Sequence, residues 1–272
     1  MPSLACKPDV DGVSAGRAVV SIGPVSDNRA MHRGNYGYDA PLALMMFGGF
    51  TAISAVLAVI FWSNGQRRPA AQMTIYFVFF LANATTFFHT TRRGKFQEWD
   101  RILEELRLTG NEHVLDLGCG RGAVLTAVAR RLTTGRTVGV DVWSTQDQSG
   151  NASAVTVGNA SIEGVADRVA VVTADMRALP FASAAFDLAV SSLAIHNIRS
   201  NAARRQAIAE GFRVLKPGGR IVIADIRATR TYEQALRRLG ATNIHRRRLG
   251  WRFWWGNPIA ATRLLTAEKA SA

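Results

Sequence analysis

From residue 96 onward the chain alternates short apolar runs with stretches of helical period. Runs at 113–117, 137–141, 169–173, 187–191 and 220–225 are apolar on both alternating faces, which predicts strands buried on both sides. Helices are expected between them at 123–132, 154–163, 202–214 and 231–239. A leading amphipathic helix begins at Phe96 and places Trp99, Ile102, Leu103 and Leu106 on one face. Such alternation means a parallel sheet covered by helices on both faces, an α/β doubly wound arrangement. Two last strands, 243–248 and 260–266, read as a hairpin that adds an antiparallel edge strand.

The pattern before residue 96 is different. Residues 41–62 and 70–88 carry no charge, and each run is long enough to read as a bilayer-spanning helix. Ser63-Asn64-Gly65-Gln66-Arg67-Arg68-Pro69 turns the chain between them, so residues 41–90 read as a transmembrane hairpin. A re-entrant hairpin, or a buried helical pair acting as a lid, remains an alternative. Residues 1–40 lack periodicity and read as a disordered tail, with Met31 offering a second translation start and Tyr36 and Tyr38 placed as interfacial anchors.

Charge sharpens this division. The 272 residues carry a net charge of +13. Residues 1–40 are neutral, whereas 41–95 hold Arg67, Arg68, Arg92, Arg93 and Lys95 with no acid. A basic excess beside apolar segments suits anionic lipid head groups. The two cysteines, Cys6 and Cys119, sit in the tail and in a turn, an arrangement that suits a reducing compartment without a disulfide. No Cys/His spacing of a metal site is present, so no metal is assigned.

Candidate chemistry lies at the strand ends, where ligands bind in doubly wound sheets. Val114-Leu115-Asp116-Leu117-Gly118-Cys119-Gly120-Arg121-Gly122 runs from a strand through a glycine turn into a helix. Such a turn lets backbone approach a ligand, but alone it serves several nucleotide classes. Here Asp141 ends the second strand about 20 residues later, at the position of a ribose-binding acid. Ala174-Asp175-Met176, Leu179-Pro180-Phe181 with Phe186-Asp187, and Leu215-Lys216-Pro217-Gly218-Gly219 follow in order. Together these pieces resemble the class I S-adenosylmethionine (SAM)-dependent methyltransferases, in the group that includes the ubiquinone/menaquinone methyltransferases, over residues 96–269.

That resemblance implies a Rossmann-like seven-stranded sheet, so that a methyltransferase domain at 96–272 follows the two transmembrane helices read from the apolar runs. It implies SAM as cofactor, bound by Asp116, Gly118, Cys119, Gly120, Gly122, Asp141, Val142, Asp175, Met176 and Ser191. His196, after the fourth strand where the methyl acceptor sits in this fold, is the candidate proton acceptor; packing over the cofactor is the alternative. Asn197 could orient a substrate, and Trp143 could stack on adenine or cover the ribose edge, or lie with residues 146–151 in a solvent loop. Ser191-Ser192-Leu193-Ala194 stands where amino-group methylases of adenine, cytosine or glutamine carry an Asn/Asp-Pro-Pro-Tyr clamp. Four arginines and four aromatics crowd residues 246–255, a composition that suits a lipid interface, plain packing or single-stranded nucleic acid.

The expectation is a membrane-anchored SAM-dependent methyltransferase with its catalytic domain facing the cytosol. Its partners would be membrane lipids and a lipophilic small-molecule acceptor rather than nucleic acid. The alternatives are a methyltransferase for a soluble acceptor and a non-catalytic SAM-binding membrane module.

Overall fold

The computed structural model describes residues 32–145 and 148–271. Most of the tail, with Cys6 and Met31, and Gln146 and Asp147 of the polar loop lie outside the described residues. Two antiparallel helices come first, α1 (Pro41–Ser63) and α2 (Arg67–His89), and a π-helical turn at Thr90–Gly94 leads into α3 (Lys95–Leu106). The domain continues as β1 (His113–Leu117), α4 (Ala123–Ala129), β2 (Arg136–Asp141), α5 (Ser153–Ile162), β3 (Val169–Thr173) and β4 (Phe186–Ser192). It ends with α6 (Asn201–Arg213), β5 (Leu215–Asp225), α7 (Thr229–Arg238), β6 (Thr242–Arg248) and β7 (Arg263–Glu268).

The seven strands order as β3-β2-β1-β4-β5-β7-β6, with β7 antiparallel to both neighbours. β1 and β4 are adjacent, so the winding reverses between them and opens a crevice beyond their carboxyl ends. Val114, Leu115 and Leu117 of β1 are fully buried because helices cover both faces. On one face Trp99, Ile102 and Leu103 of α3 pack with Val124 and Val128 of α4; on the other Ile208 and Phe212 of α6 pack with Tyr232 and Leu236 of α7.

The structure corrects three expectations here. The antiparallel strand is not at the edge: β7 inserts beside β5, and β6 takes the rim. Residues 249–262 between them are no tight hairpin but a long connection with two 3-10 turns, Trp251–Phe253 and Pro258–Ala260. That connection packs on the base of the helical hairpin. Phe253 and Trp255 are buried, Trp255 meets Phe87 edge-on at 5.1 Å, and Asn257 donates to Asn83 Oδ1 at 2.9 Å. Gly94 is required there, since a Cβ would fall 1.8 Å from the Arg252 carbonyl oxygen. Much of the aromatic crowding at 246–255 is therefore packing, and Arg246 and Arg247 pair with Glu233 and Glu105. Trp251 alone of this group is half exposed, with Arg252 over its ring.

The third correction concerns the tail. Residues 32–40 are not loose but form a strap over α4 and α5. The N–H groups of Arg33 and Gly34 donate to Glu163 Oε1 at 2.9 and 3.0 Å, and Asn35 exchanges hydrogen bonds with Asn159. Tyr36 is buried, its hydroxyl bonded to Thr126 and Glu163, so it is a packing residue and no interfacial anchor.

α1 and α2 expose most of their apolar side chains; Leu42, Val59 and Ile75 are each about two-thirds accessible (66%, 68% and 66%). The buried residues are the small or polar Ser54, Ala58, Ala70 and Asn83, with Phe87 at the base against Trp255. Both helices are long and apolar enough to cross a membrane.

Candidate active site

A cavity of about 420 Å³ opens at the carboxyl ends of β1, β2 and β4. Its floor is the glycine turn. Gly118 donates its N–H to the Val140 carbonyl at 2.8 Å, tying the turn to β2. It has φ +72°, and a Cβ there would strike the Ala194 Cβ at 2.2 Å. Glycine is thus required both for the left-handed backbone and for the approach of the 193–194 segment. Gly122, also left-handed at φ +84°, leads into α4.

Asp116 lines the cavity and is 1% exposed, and its Oδ2 lacks a hydrogen-bond partner. Burial, with the nearby Asp141 charge adding to it, pushes its carboxyl up to about 8. The same causes, with burial first, hold the Cys119 thiol well above its ordinary range, so this cysteine is an inert wall residue.

Asp141 braces the turn. Its Oδ2 accepts the Gly120 N–H at 2.8 Å, and its Oδ1 accepts the Trp143 N–H at 2.7 Å and a long bond of 3.3 Å from Asn151. A carboxylate offers about four acceptor sites. Oδ2 keeps one free, and the long Asn151 bond is the one a stronger donor would displace. Val142 lines the cavity beside it. Asp175 and Met176 lie at the cavity's next wall, but Asp175 is clamped by Arg177, whose Nε approaches Oδ2 to 2.8 Å. That guanidinium bond holds the Asp175 carboxyl below its ordinary range. An incoming amino group would compete with Arg177 for it.

Four expected site residues do not line the cavity: Gly122, which only shapes the turn into α4, and Ser191, Trp143 and His196. Ser191 is buried and donates to the Leu117 carbonyl at 2.8 Å, locking β4 to β1. Its neighbour Ser192, pointing the opposite way, lines the cavity and accepts from Trp99 Nε1 at 2.9 Å. Trp143 turns outward through a left-handed backbone of φ +61°, and its indole N–H donates to Thr173 at 2.7 Å. His196 points toward α7: its Nδ1 lies 2.7 Å from Asp225 Oδ1, although the angle is poor for a hydrogen bond. Asp225 is fully buried and also accepts from the His196 N–H and the Tyr232 hydroxyl, both at 3.1 Å. His196 thus pairs with Asp225 and is not among the residues that line the cavity. Asn197, next to it, does line the cavity.

The opposite wall was not foreseen. It comes from the strap and from α3: His32, Asp39, Lys95, Phe96 and Trp99. Lys95 Nζ pairs with Asp39 Oδ2, and Gln148 joins Asp39 to the glycine turn by accepting the Arg121 N–H at 2.9 Å. His32 packs on Phe96 at 4.2 Å with the rings tilted, and burial with the adjacent Arg130 charge lowers it to about 4, so it is neutral at pH 7. The Trp99 signal was present in the amphipathic face of α3. Nothing local marks Asp39 or Lys95.

Comparison with known proteins agrees with this geometry. The methyltransferase domain family matches residues 115–223. A sterol 4-C-methyltransferase of Caenorhabditis elegans is 32% identical over 136 residues, covering 49% of this chain and 36% of that protein. A demethylmenaquinone methyltransferase of Lactiplantibacillus plantarum is 33% identical over 131 residues, covering 47% of this chain and 52% of that protein. The chain thus spans about a third to a half of the length of these relatives. A geranyl diphosphate methyltransferase crystallised with SAM superposes with a TM-score of 0.53 at 16% identity, over 67% of this chain and 87% of that one. The sheet order and the family match together identify the class I methyltransferase fold.

Proposed function

We propose that this chain, whose residues 115–223 match the methyltransferase domain family, is a membrane-anchored SAM-dependent methyltransferase of lipophilic small molecules. One observation carries the reading: the cofactor crevice at the β1/β4 switch point and the base of an exposed apolar hairpin share one cavity. Lys95 follows α2 by a single π turn, and Asp39 lies two residues before α1, yet both line the same space as Asp116 and Asp141. An acceptor dissolved in lipid would meet the cavity beside its own solvent.

The residues fit SAM. Gly118, Gly120 and Asp116 all line the cavity, so turn backbone and a buried, unpartnered carboxylate oxygen stand together at its floor. In this reading Asp116 takes the amino group, the turn backbone the methionine portion, and Asp141 the ribose hydroxyls. Met176 would lie against the adenine, and Asp175 would share its carboxylate between Arg177 and the ring amino group. Bound SAM supplies a methyl group on a sulfonium, whose departure leaves a neutral thioether. The protein's part is then to bind, align and dry the site. Phe96, Trp99, Val124, Leu193, Ala194 and Ile198 supply an apolar acceptor wall, and Asn197 and Ser192 supply polar atoms to orient the reacting group.

The relatives named above act, by their names, on a sterol and on a menaquinone precursor, which suits an apolar wall. A polar acceptor is the second reading, favoured by Arg177, Arg199 and Ser200 on the outer rim. Mass spectrometry of organic extracts from cells expressing the wild type or Asp141→Ala tests the proposal. A lipid-soluble species should gain one methyl group only with the wild type. A methylated product confined to the aqueous phase would support the second reading.

A further inference from the structure

The Lys95–Asp39 pair is used by neither the fold of the sheet nor the cofactor contacts above, yet it lies in the cavity wall. The Lys95 side chain is 7% exposed, and its ammonium meets Asp39 Oδ2. Other cations of the described wall are committed or exposed. Arg177 is 47% exposed and bound to Asp175, Arg199 is exposed, and His32 is neutral. Lys95 is therefore the one buried positive charge among the described lining residues. Gln148 bridges Asp39 to the Arg121 N–H, so the pair stands beside the glycine turn. Acids already serve the rest of that crevice: Asp116, Asp141 and Asp175.

We propose that Lys95 is a carboxylate receptor and that Asp39 is its internal stand-in, displaced when a ligand carboxylate enters. The inference rests on the methyltransferase reading, because the first source of such a group is the methionine carboxylate of the cofactor; an acidic acceptor is the second. A carboxylate entering this crevice must find a cation, since an unpaired buried charge is strongly penalised. Exchange keeps the count of pairs: Lys95 trades one carboxylate for another, and Asp39, 19% exposed, is the partner nearer solvent. Asp39 precedes α1 and Lys95 follows α2, so the exchange also opens a clasp between the two ends of the hairpin.

Calorimetry on the full chain in detergent micelles tests this with three probes: S-adenosylhomocysteine, 5′-methylthioadenosine and dodecanoate. Methylthioadenosine keeps the adenosine and thioether but lacks the amino-acid end. Lys95→Met should weaken S-adenosylhomocysteine at least about tenfold and leave methylthioadenosine within roughly twofold, while Lys95→Arg restores most of the loss. Methylthioadenosine binding also reports that each variant is folded. Asp39→Asn should tighten S-adenosylhomocysteine by removing the competitor. If Asp39→Asn weakens it as Lys95→Met does, the stand-in role is overturned. Loss of dodecanoate binding alone in Lys95→Met assigns the receptor to the acceptor. Loss of neither ligand overturns the proposal. Absence of S-adenosylhomocysteine binding to the wild type would remove the methyltransferase reading and leave dodecanoate as the test of Lys95.

Discussion

Asp116 should release a proton when the cofactor binds. In the ligand-free protein its carboxyl titrates at about 8 instead of the ordinary 3.8, first because it is buried and second because Asp141 is near. At pH 7 the protonated form is then favoured by about ten to one. An ammonium delivered to its unpartnered Oδ2 favours the ionised form, so binding should expel about 0.9 proton at pH 7. Affinity for S-adenosylhomocysteine should fall about tenfold for each pH unit below 8. The sign for folding is opposite. The folded state holds a proton that the unfolded carboxyl has already lost, so ligand-free stability should decline as pH rises between 3.8 and about 8. His32, lowered to about 4, is silent over the range of the binding experiment. Calorimetry in phosphate and in Tris measures the proton directly, through the dependence of the observed heat on buffer ionisation enthalpy. Asp116→Asn should flatten that dependence. A flat dependence in the wild type would show that Asp116 stays protonated in the complex and receives no ammonium.

Three further outcomes follow from the site. Asp141→Ala should weaken S-adenosylhomocysteine by about 2–3 kcal/mol, since it loses the ribose contacts and frees the Gly120 and Trp143 N–H groups; unchanged affinity by calorimetry would contradict the assignment of this strand end. His196→Asn should keep the single-turnover rate within about threefold of wild type, whereas His196→Ala should cost about 1–3 kcal/mol in denaturant unfolding by stripping a buried neighbour from Asp225; a rate loss of about 10²-fold would return His196 to the catalytic list. The full chain should stay in the membrane pellet through a carbonate wash because α1 and α2 expose long apolar faces, and its release would argue for a soluble lid.

The first five strands were legible because each holds a compact apolar run that stops at or beside an acid, a glycine or, for β4, the Ser191-Ser192 pair. Observed β1 and β3 coincide with the expected 113–117 and 169–173. The glycine turn, Asp116, Asp141 and Met176 were legible for the same reason: in a doubly wound sheet a position at a strand's carboxyl end already fixes which side of the molecule it faces. Side-chain direction beyond a strand end was not. Ser191 and Ser192 differ by one step of strand parity, and only the pairing with Leu117 decides which one reaches the cavity. His196 lies in a one-turn segment whose orientation depends on Asp225, a residue on another strand. The strap escaped notice because it has no periodicity. Its order comes from hydrogen bonds to Glu163 and Asn159, more than a hundred residues away in sequence. The aromatics of 251–255 misled in the opposite way: the same composition serves a lipid interface and a packed seam, and Phe253 and Trp255 are in the seam.

Transfer of a methyl group from SAM to a molecule that partitions into lipid can be followed by its label. Methyl-labelled SAM incubated with membranes containing the full chain, then extracted into organic solvent, measures it directly. The account predicts label in the organic phase that depends on the protein, is abolished by Asp141→Ala and persists with His196→Asn. Label that never leaves the aqueous phase, or organic label that Asp141→Ala leaves intact, would contradict it.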